Sequence, residues 1–336
     1  GPDAFELRGD TFGTGDLLKS GDGTLVFTGV AEHSGSTHVA EGVLQVGEGL
    51  RGVLASDVTV DAGAALAFGR DDLSGYAHTI SGEGGVIMRG AGELVMLTDQ
   101  QYTGGTRIES ASLRVGLGGT EGSLLGDAVI DAGARLLFDR SDDYLFAGDI
   151  SGDGSLATTS GGILILTGDA THSGGTRVAG GGLQVGDGGT QGSLSGPVQL
   201  DAGTGLLLNR SDLLMLDGDI SGAGGLYQIG PGTTHLTGNN TFSGDVRVLD
   251  GRLAADADQR LGGGDLILDG GAFAWTQAFD DLRGVRLTSV GGGLDTNGFD
   301  VVYSNIISGS GDFTKSGDGV FSLTGLIAAG TTRVTG

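Results

Sequence analysis

Apolar side chains recur at every second position along this chain, in short runs such as Leu25-Val26-Phe27, Leu44-Gln45-Val46, Leu113-Arg114-Val115 and Leu183-Gln184-Val185. Gly, Asp, Ser and Asn bound each run. Alternation of this length between turn formers predicts short strands joined by turns. No stretch shows the period of an amphipathic helix with caps. Glycine at every third to fifth position costs a helix about 1 kcal/mol each. It suits the corners of a coil, where the backbone needs positive φ.

The strand pattern itself repeats. Ile-Ser-Gly occurs at Ile80, Ile150, Ile220 and Ile307, with gaps of 70, 70 and 87 residues. Ser34-Gly35-Ser36-Thr37, Thr103-Gly104-Gly105-Thr106 and Ser173-Gly174-Gly175-Thr176 keep the same beat, as does Asp-Ala-Gly at Asp61, Asp131 and Asp201. A fixed period of this size predicts a stacked solenoid, in which each unit buries its apolar face only against its neighbours. The second and third units each divide into pieces of 23, 24 and 23 residues, and the first divides likewise but is two residues shorter in total. The expected fold is all-β, a parallel β-helix of about 14–15 rungs of about 23 residues each. The expected organisation is a terminal segment over 1–11, repeats over 12–79, 80–149, 150–219 and 220–306, and the start of a further repeat over 307–336. The fourth repeat has 42 residues from Asp265 to Ile306 where earlier ones have 23, close to one extra rung. Phe273, Trp275, Phe279, Phe299 and Tyr303 fall there. They either fill a wider coil section or form an exposed aromatic ledge. On the second reading Trp275, Phe279 and Tyr303 are candidate binding residues.

Composition narrows the function classes. Glycine supplies 72 of 336 residues and proline 3, with no strict Gly-x-y period, which excludes collagen. The formal charge of −24 repels phosphate backbones and argues against nucleic acid as a partner. Its simplest role is solubility and suppression of self-stacking. There is no cysteine, which suits a chain exported unfolded. No run approaches the roughly 20 apolar residues of a membrane helix. Gly1-Pro2 reads as a protease-cleavage scar, so the chain is expected to be an excised fragment.

The residues offer little chemistry. Catalytic residues, metal ligands and cofactor contacts are all expected to be absent. His33 and His172 precede matching Ser-Gly corners where Tyr102 and Phe242 stand in the other repeats, which marks a turn-packing position. Asp71-Asp72 and Asp142-Asp143 resemble the carboxylate pairs of glycan-cleaving enzymes, but they lie in matching Arg-Asp-Asp and Arg-Ser-Asp-Asp segments, the pattern of a repeated turn. The nonapeptide register of calcium-binding β-rolls is missing. Arg8-Gly9-Asp10 spells an integrin-type tripeptide, read here as an accident of composition and kept as a weak binding candidate.

Nearly the whole chain carries a family resemblance, which recurs four or five times. Leu18-Lys19-Ser20-Gly21-Asp22-Gly23-Thr24-Leu25-Val26-Phe27-Thr28-Gly29 and Thr314-Lys315-Ser316-Gly317-Asp318-Gly319 are similar to the Lys-x-Gly-x-Gly core of autotransporter passenger domains with autotransporter-associated β-strand repeats. Ser173 to Val178 followed by Gly182 to Val185 resembles the segment after that core. The resemblance implies a right-handed coil, and a place at the bacterial surface or outside the cell after export through the outer membrane. It further implies an adhesin or self-association factor in aggregation and biofilm. Its partners would be a protein or glycan on host or neighbouring bacterial cells, homotypic contact included. In the full-length protein a C-terminal outer-membrane β-barrel is implied. The rival expectations are a passive stalk presenting another domain, or a polysaccharide-acting enzyme addressed at Ala272–Tyr303.

Overall fold

A computed structural model describes residues 4–335. The proposed scar at Gly1-Pro2 lies outside the described residues. The described residues are all-β, with short parallel strands and, among them, one 3-10 turn at Asp258–Leu261. Two compact units divide it. One runs to Leu164 and includes Gly168–Gly175, and the other holds Ile165–Thr167 and the chain from Thr176 onward.

In the first unit successive coils lay their strands on three faces. Ala4–Leu7, Thr24–Phe27, Val43–Gly49, Ala65–Arg70 and Gly85–Met88 follow one another on the first face. Ala4 pairs with Thr24, Thr24 with Val43, Val43 with Ala65 and Ala65 with Gly85, steps of 20, 19, 22 and 20 residues. The coil is therefore shorter than the 23 residues expected from dividing seventy by three, and the chain makes about 17 turns rather than 14–15. The physical reason is that seventy residues hold three coils and one further strand. Each repeat accordingly begins one face further on. Ile80–Gly82 lies on the third face with Val58–Val60, while Ile150–Ser151 lies on the first with Ala128–Ile130. Likewise Thr24–Phe27 and Val43–Gly49 stand on the first face, and their repeat equivalents Glu93–Met96 and Ser112–Gly119 on the second.

The alternation read from the sequence points inward as expected. On the first face Phe27, Val46, Phe68, Met88, Ile108 and Ile130 stand directly over one another through the ladder, each at most 5% exposed. Each such side chain contributes about 1.5–3 kcal/mol by leaving water.

The Ile-Ser-Gly marker has two structural causes. Ile80, Ile150, Ile220 and Ile307 are fully buried. The glycine two residues later takes positive φ directly above a carbonyl of the preceding coil. A Cβ on Gly152 would lie 2.2 Å from the Ile130 oxygen, and on Gly222 2.0 Å from that of Leu200. No side chain fits there.

In the second unit Leu266 pairs with Val285 and Val285 with Ile307, so the long fourth repeat does carry an additional coil.

Candidate interaction surface

Aspartates at the corners join consecutive coils. The Oδ1 of Asp10, Asp16 and Asp71 accepts the backbone N–H of Val30, Ser36 and Ala91, each 20 residues on, at 2.8–2.9 Å. Asp143, Asp219 and Asp300 do the same for Ile163, Asn239 and Val320. Much of the acidity thus has a task beyond solubility: it satisfies corner amides that the ladder leaves unpaired. The paired carboxylates divide in the same way. Asp71 holds Ala91, while Asp72 forms a two-pronged ion pair with Arg70 at 2.7–2.8 Å. They act as turn residues.

That arginine recurs every seventy residues as Arg70, Arg140 and Arg210. Each grips the aspartate two positions on and reaches back to a glycine carbonyl, of Gly52, Gly122 and Gly192 respectively. The guanidinium holds the carboxyls of Asp72, Asp142 and Asp212 below the usual range, chiefly through the hydrogen bond. The arginines stand where the ladder is interrupted. Val53–Leu54 and Leu73–Tyr76 belong to consecutive coils of the same face yet do not pair, and neither do Ser193–Leu194 and Leu213–Leu216. Glycine-rich loops, Gly47 to Gly52 and Gly186 to Gly192, lengthen the coil just before each break. The Arg-x-Asp spacing was visible as a repeated turn. Its role as a clamp across a broken ladder had no signal in the sequence.

Other motif residues are also structural. Lys19 is buried, and its Nζ donates to the carbonyls of Gly21 at 2.6 Å and Glu41 at 2.9 Å. The Lys-x-Gly-x-Gly signature is therefore an ammonium closed off by its own turn. Lys315 does the same with Gly317 and Gly319. His33, Tyr102, His172 and Phe242 are all buried at one repeat position, as the turn-packing reading requires. His33 Nε2 shares a hydrogen bond with Thr37 at 3.1 Å and the Tyr102 hydroxyl one with Thr106 at 2.6 Å. Burial lowers the pKa of His172. On the outside, Arg107–Asp131 and Arg177–Asp201 form a repeated ion pair at 2.8 Å between neighbouring coils, and His38 lies 2.9 Å from Asp61 at the matching position.

The aromatic candidates do not form a ledge. Trp275 and Tyr303 are each 1% exposed. The indole Nε1 donates to the Phe279 carbonyl at 3.2 Å, and the Tyr303 hydroxyl donates to that of Arg283 at 3.0 Å. Phe279 is half-buried and packs 5.9 Å from Trp275. The rings fill the coil interior, because an extra coil with few aliphatic residues needs their volume. Arg8, Gly9 and Asp10 are exposed, but Arg8 pairs with Glu6 at 2.7 Å and Asp10 holds Val30. Among the described residues no group of three or more His, Cys, Asp or Glu is placed to hold a metal. Among the same residues no helix is long and apolar enough to cross a membrane.

A groove of about 610 Å³ opens in the second unit, beside the aromatic segment. Its floor is Ala272 and Gly293, with Thr233 and Thr314 on the coils to either side. Arg252 reaches across it to Asp295 at 2.9 Å.

With that geometry in place, the repeats find their counterpart. The passenger-associated-transport-repeat family matches residues 17–46, 86–115, 156–185 and 226–255. The chain is an autotransporter passenger segment. The four matches begin 69, 70 and 70 residues apart, the beat already seen in the strands. The cell surface, or the medium reached through the outer membrane, is accordingly the place of this passenger. It is 29% identical over 366 aligned residues to the adhesin BmaC autotransporter of Brucella suis biovar 1 (strain 1330), an alignment covering 99% of the chain and 10% of that relative. The passenger segment thus spans about a tenth of the relative's length. No solved structure matches it.

Proposed function

We propose that this passenger segment belongs to an adhesin and takes part in attachment to host or neighbouring cells, self-association included. The observation that carries the reading is the alignment of nearly the whole chain with a stretch of an autotransporter whose name is adhesin. Two features of the surface support it. Motif residues in the sheets are occupied in holding coils together, which leaves outward side chains as the means of contact. Those outward positions also move to a new face with each repeat, so weak contacts are spread around the coil instead of along one strip. Many such contacts add through effective concentration. The polar groove over Ala272 and Gly293 offers a recess for a glycan or an extended protein segment. In the full-length protein a C-terminal outer-membrane barrel would anchor the passenger.

The test is display of the full-length protein on a bacterium that does not otherwise adhere. Attachment or clumping is expected to fall in steps as whole repeats are removed. Full attachment after removal of all four repeats would overturn the proposal and leave the segment a stalk. No turnover is expected on a panel of polysaccharides.

A further inference from the structure

The broken ladder of the first repeat encloses a vacancy that the second repeat fills with its own tyrosine. In both repeats an arginine clamp stands beside the break, Arg70 in one and Arg140 in the other. Phe68 and Tyr76 occupy the places of Phe138 and Phe146, with ring centroids 5.2 Å and 5.6 Å apart respectively. The difference lies four residues after the arginine. In the second repeat this is Tyr144, whose ring lies 4.8 Å from the Arg140 guanidinium and 5.6 Å from Phe138. Its hydroxyl closes the break. It accepts from the Leu124 N–H at 3.0 Å and donates to the Leu124 carbonyl at 2.9 Å. In the first repeat the residue is Ser74. There a cavity of about 250 Å³ opens to solvent, lined by Leu54, Phe68, Arg70, Ser74, Tyr76 and Leu94 among others. Leu54 holds the position of Leu124. Apolar cavities of about 150 Å³ accept a benzene ring, so a phenol fits.

We infer that the first repeat carries a binding site for a para-hydroxyphenyl ring, the tyrosine side chain of a protein partner. The ring takes the place that Tyr144 takes in the second repeat. Its face lies against Arg70, with a cation–π contribution, and it packs beside Phe68 as Tyr144 packs beside Phe138. Its hydroxyl reaches the Leu54 backbone as that of Tyr144 reaches Leu124. The third repeat has Leu214 at this position, 3% exposed, and offers no such vacancy. The site is independent of the adhesive reading: it concerns one repeat and one side chain.

The probes are p-cresol and the peptides acetyl-Gly-Tyr-Gly-amide and acetyl-Gly-Phe-Gly-amide, titrated into the whole chain and followed by NMR. One p-cresol is expected to bind per chain, in the millimolar range. The tyrosine peptide is expected to bind severalfold tighter than the phenylalanine peptide, because only it reaches Leu54. Ser74→Tyr is expected to abolish binding, and Ser74→Leu, which copies the third repeat, to do the same. Tyr144→Ser is expected to raise the stoichiometry to two. The inference is overturned if p-cresol does not bind, if both Ser74 variants bind it as the parent does, or if the two peptides bind equally.

Discussion

His172 is a buried imidazole in a position that tolerates tyrosine and phenylalanine elsewhere in the chain, and this sets how it responds to acid. In the unfolded chain it titrates near the ordinary value of about 6.5. Burial lowers that value in the folded chain. Below about pH 6.5 the unfolded chain therefore binds the proton more readily, so stability falls as the pH drops through that value and is unaffected above it. His172→Phe, copying Phe242, is expected to narrow the gap between urea midpoints measured at pH 7.5 and pH 5. An unchanged gap would show that other groups carry the acid response. Arg140 is the most enclosed of the three clamps, its side chain 10% exposed. Truncation leaves the carbonyls of Gly122 and Thr120 and the Asp142 carboxylate without their donor. Arg140→Ala is expected to cost about 2 kcal/mol in urea unfolding, chiefly because the two carbonyls lose their donor. Arg140→Lys should recover little of it, since an ammonium cannot make the two-pronged contact and reach the carbonyls as well. Gly152→Ala meets a carbonyl at 2.2 Å with φ of 98°. A loss of about 3 kcal/mol is expected, read in the same experiment. Of these residues only the glycines and the histidine position were legible in sequence. The clamp was not, because an Arg-x-Asp turn looks the same whether or not it spans a break.

At the level of the repeat, the decisive relation is between seventy residues and a coil of about twenty-one. They do not divide evenly, and the remainder is one strand. A whole repeat can therefore be excised with its junction preserved, since Thr79 followed by Ile150 restores the context of Thr79 followed by Ile80. Deletion of residues 80–149 is expected to leave a folded solenoid whose Tm lies within about 5 °C of the parent, because stability in such arrays depends on nearest neighbours. Deletion of 80–114 removes neither whole coils nor a whole repeat. It should place inward residues at corners and abolish the cooperative transition in circular dichroism. The strands and their alternation were readable from the sequence, as was the extra coil of the fourth repeat. The face of each strand was not, since a period in sequence carries no information on how many residues complete a turn in space.

For the molecule as a whole, 42 acidic residues stand against 18 basic ones. Many aspartates are fixed at corners by the amides they accept, so the surplus negative charge cannot be relieved by moving side chains apart. Salt screens such repulsion over about 10 Å at 0.1 M. Raising sodium chloride from 20 to 200 mM is expected to increase Tm by a few degrees, as measured by calorimetry. A fall would mean that the arginine clamps and outward ion pairs outweigh the repulsion. The same crowding of negative charge bears on contact between copies of this chain, which should strengthen with salt if it occurs.

The sequence by itself determined the all-β solenoid, the beat of seventy and the buried apolar columns, because alternation, turn residues and repetition are local properties that every segment states separately. Only the tertiary structure decided the coil length, the advance of one face per repeat and the broken ladders with their clamps. It also decided the inward placement of Trp275 and Tyr303. Each of these depends on which residues twenty positions apart come to lie against one another, and that follows from closing the coil, not from any single stretch of chain.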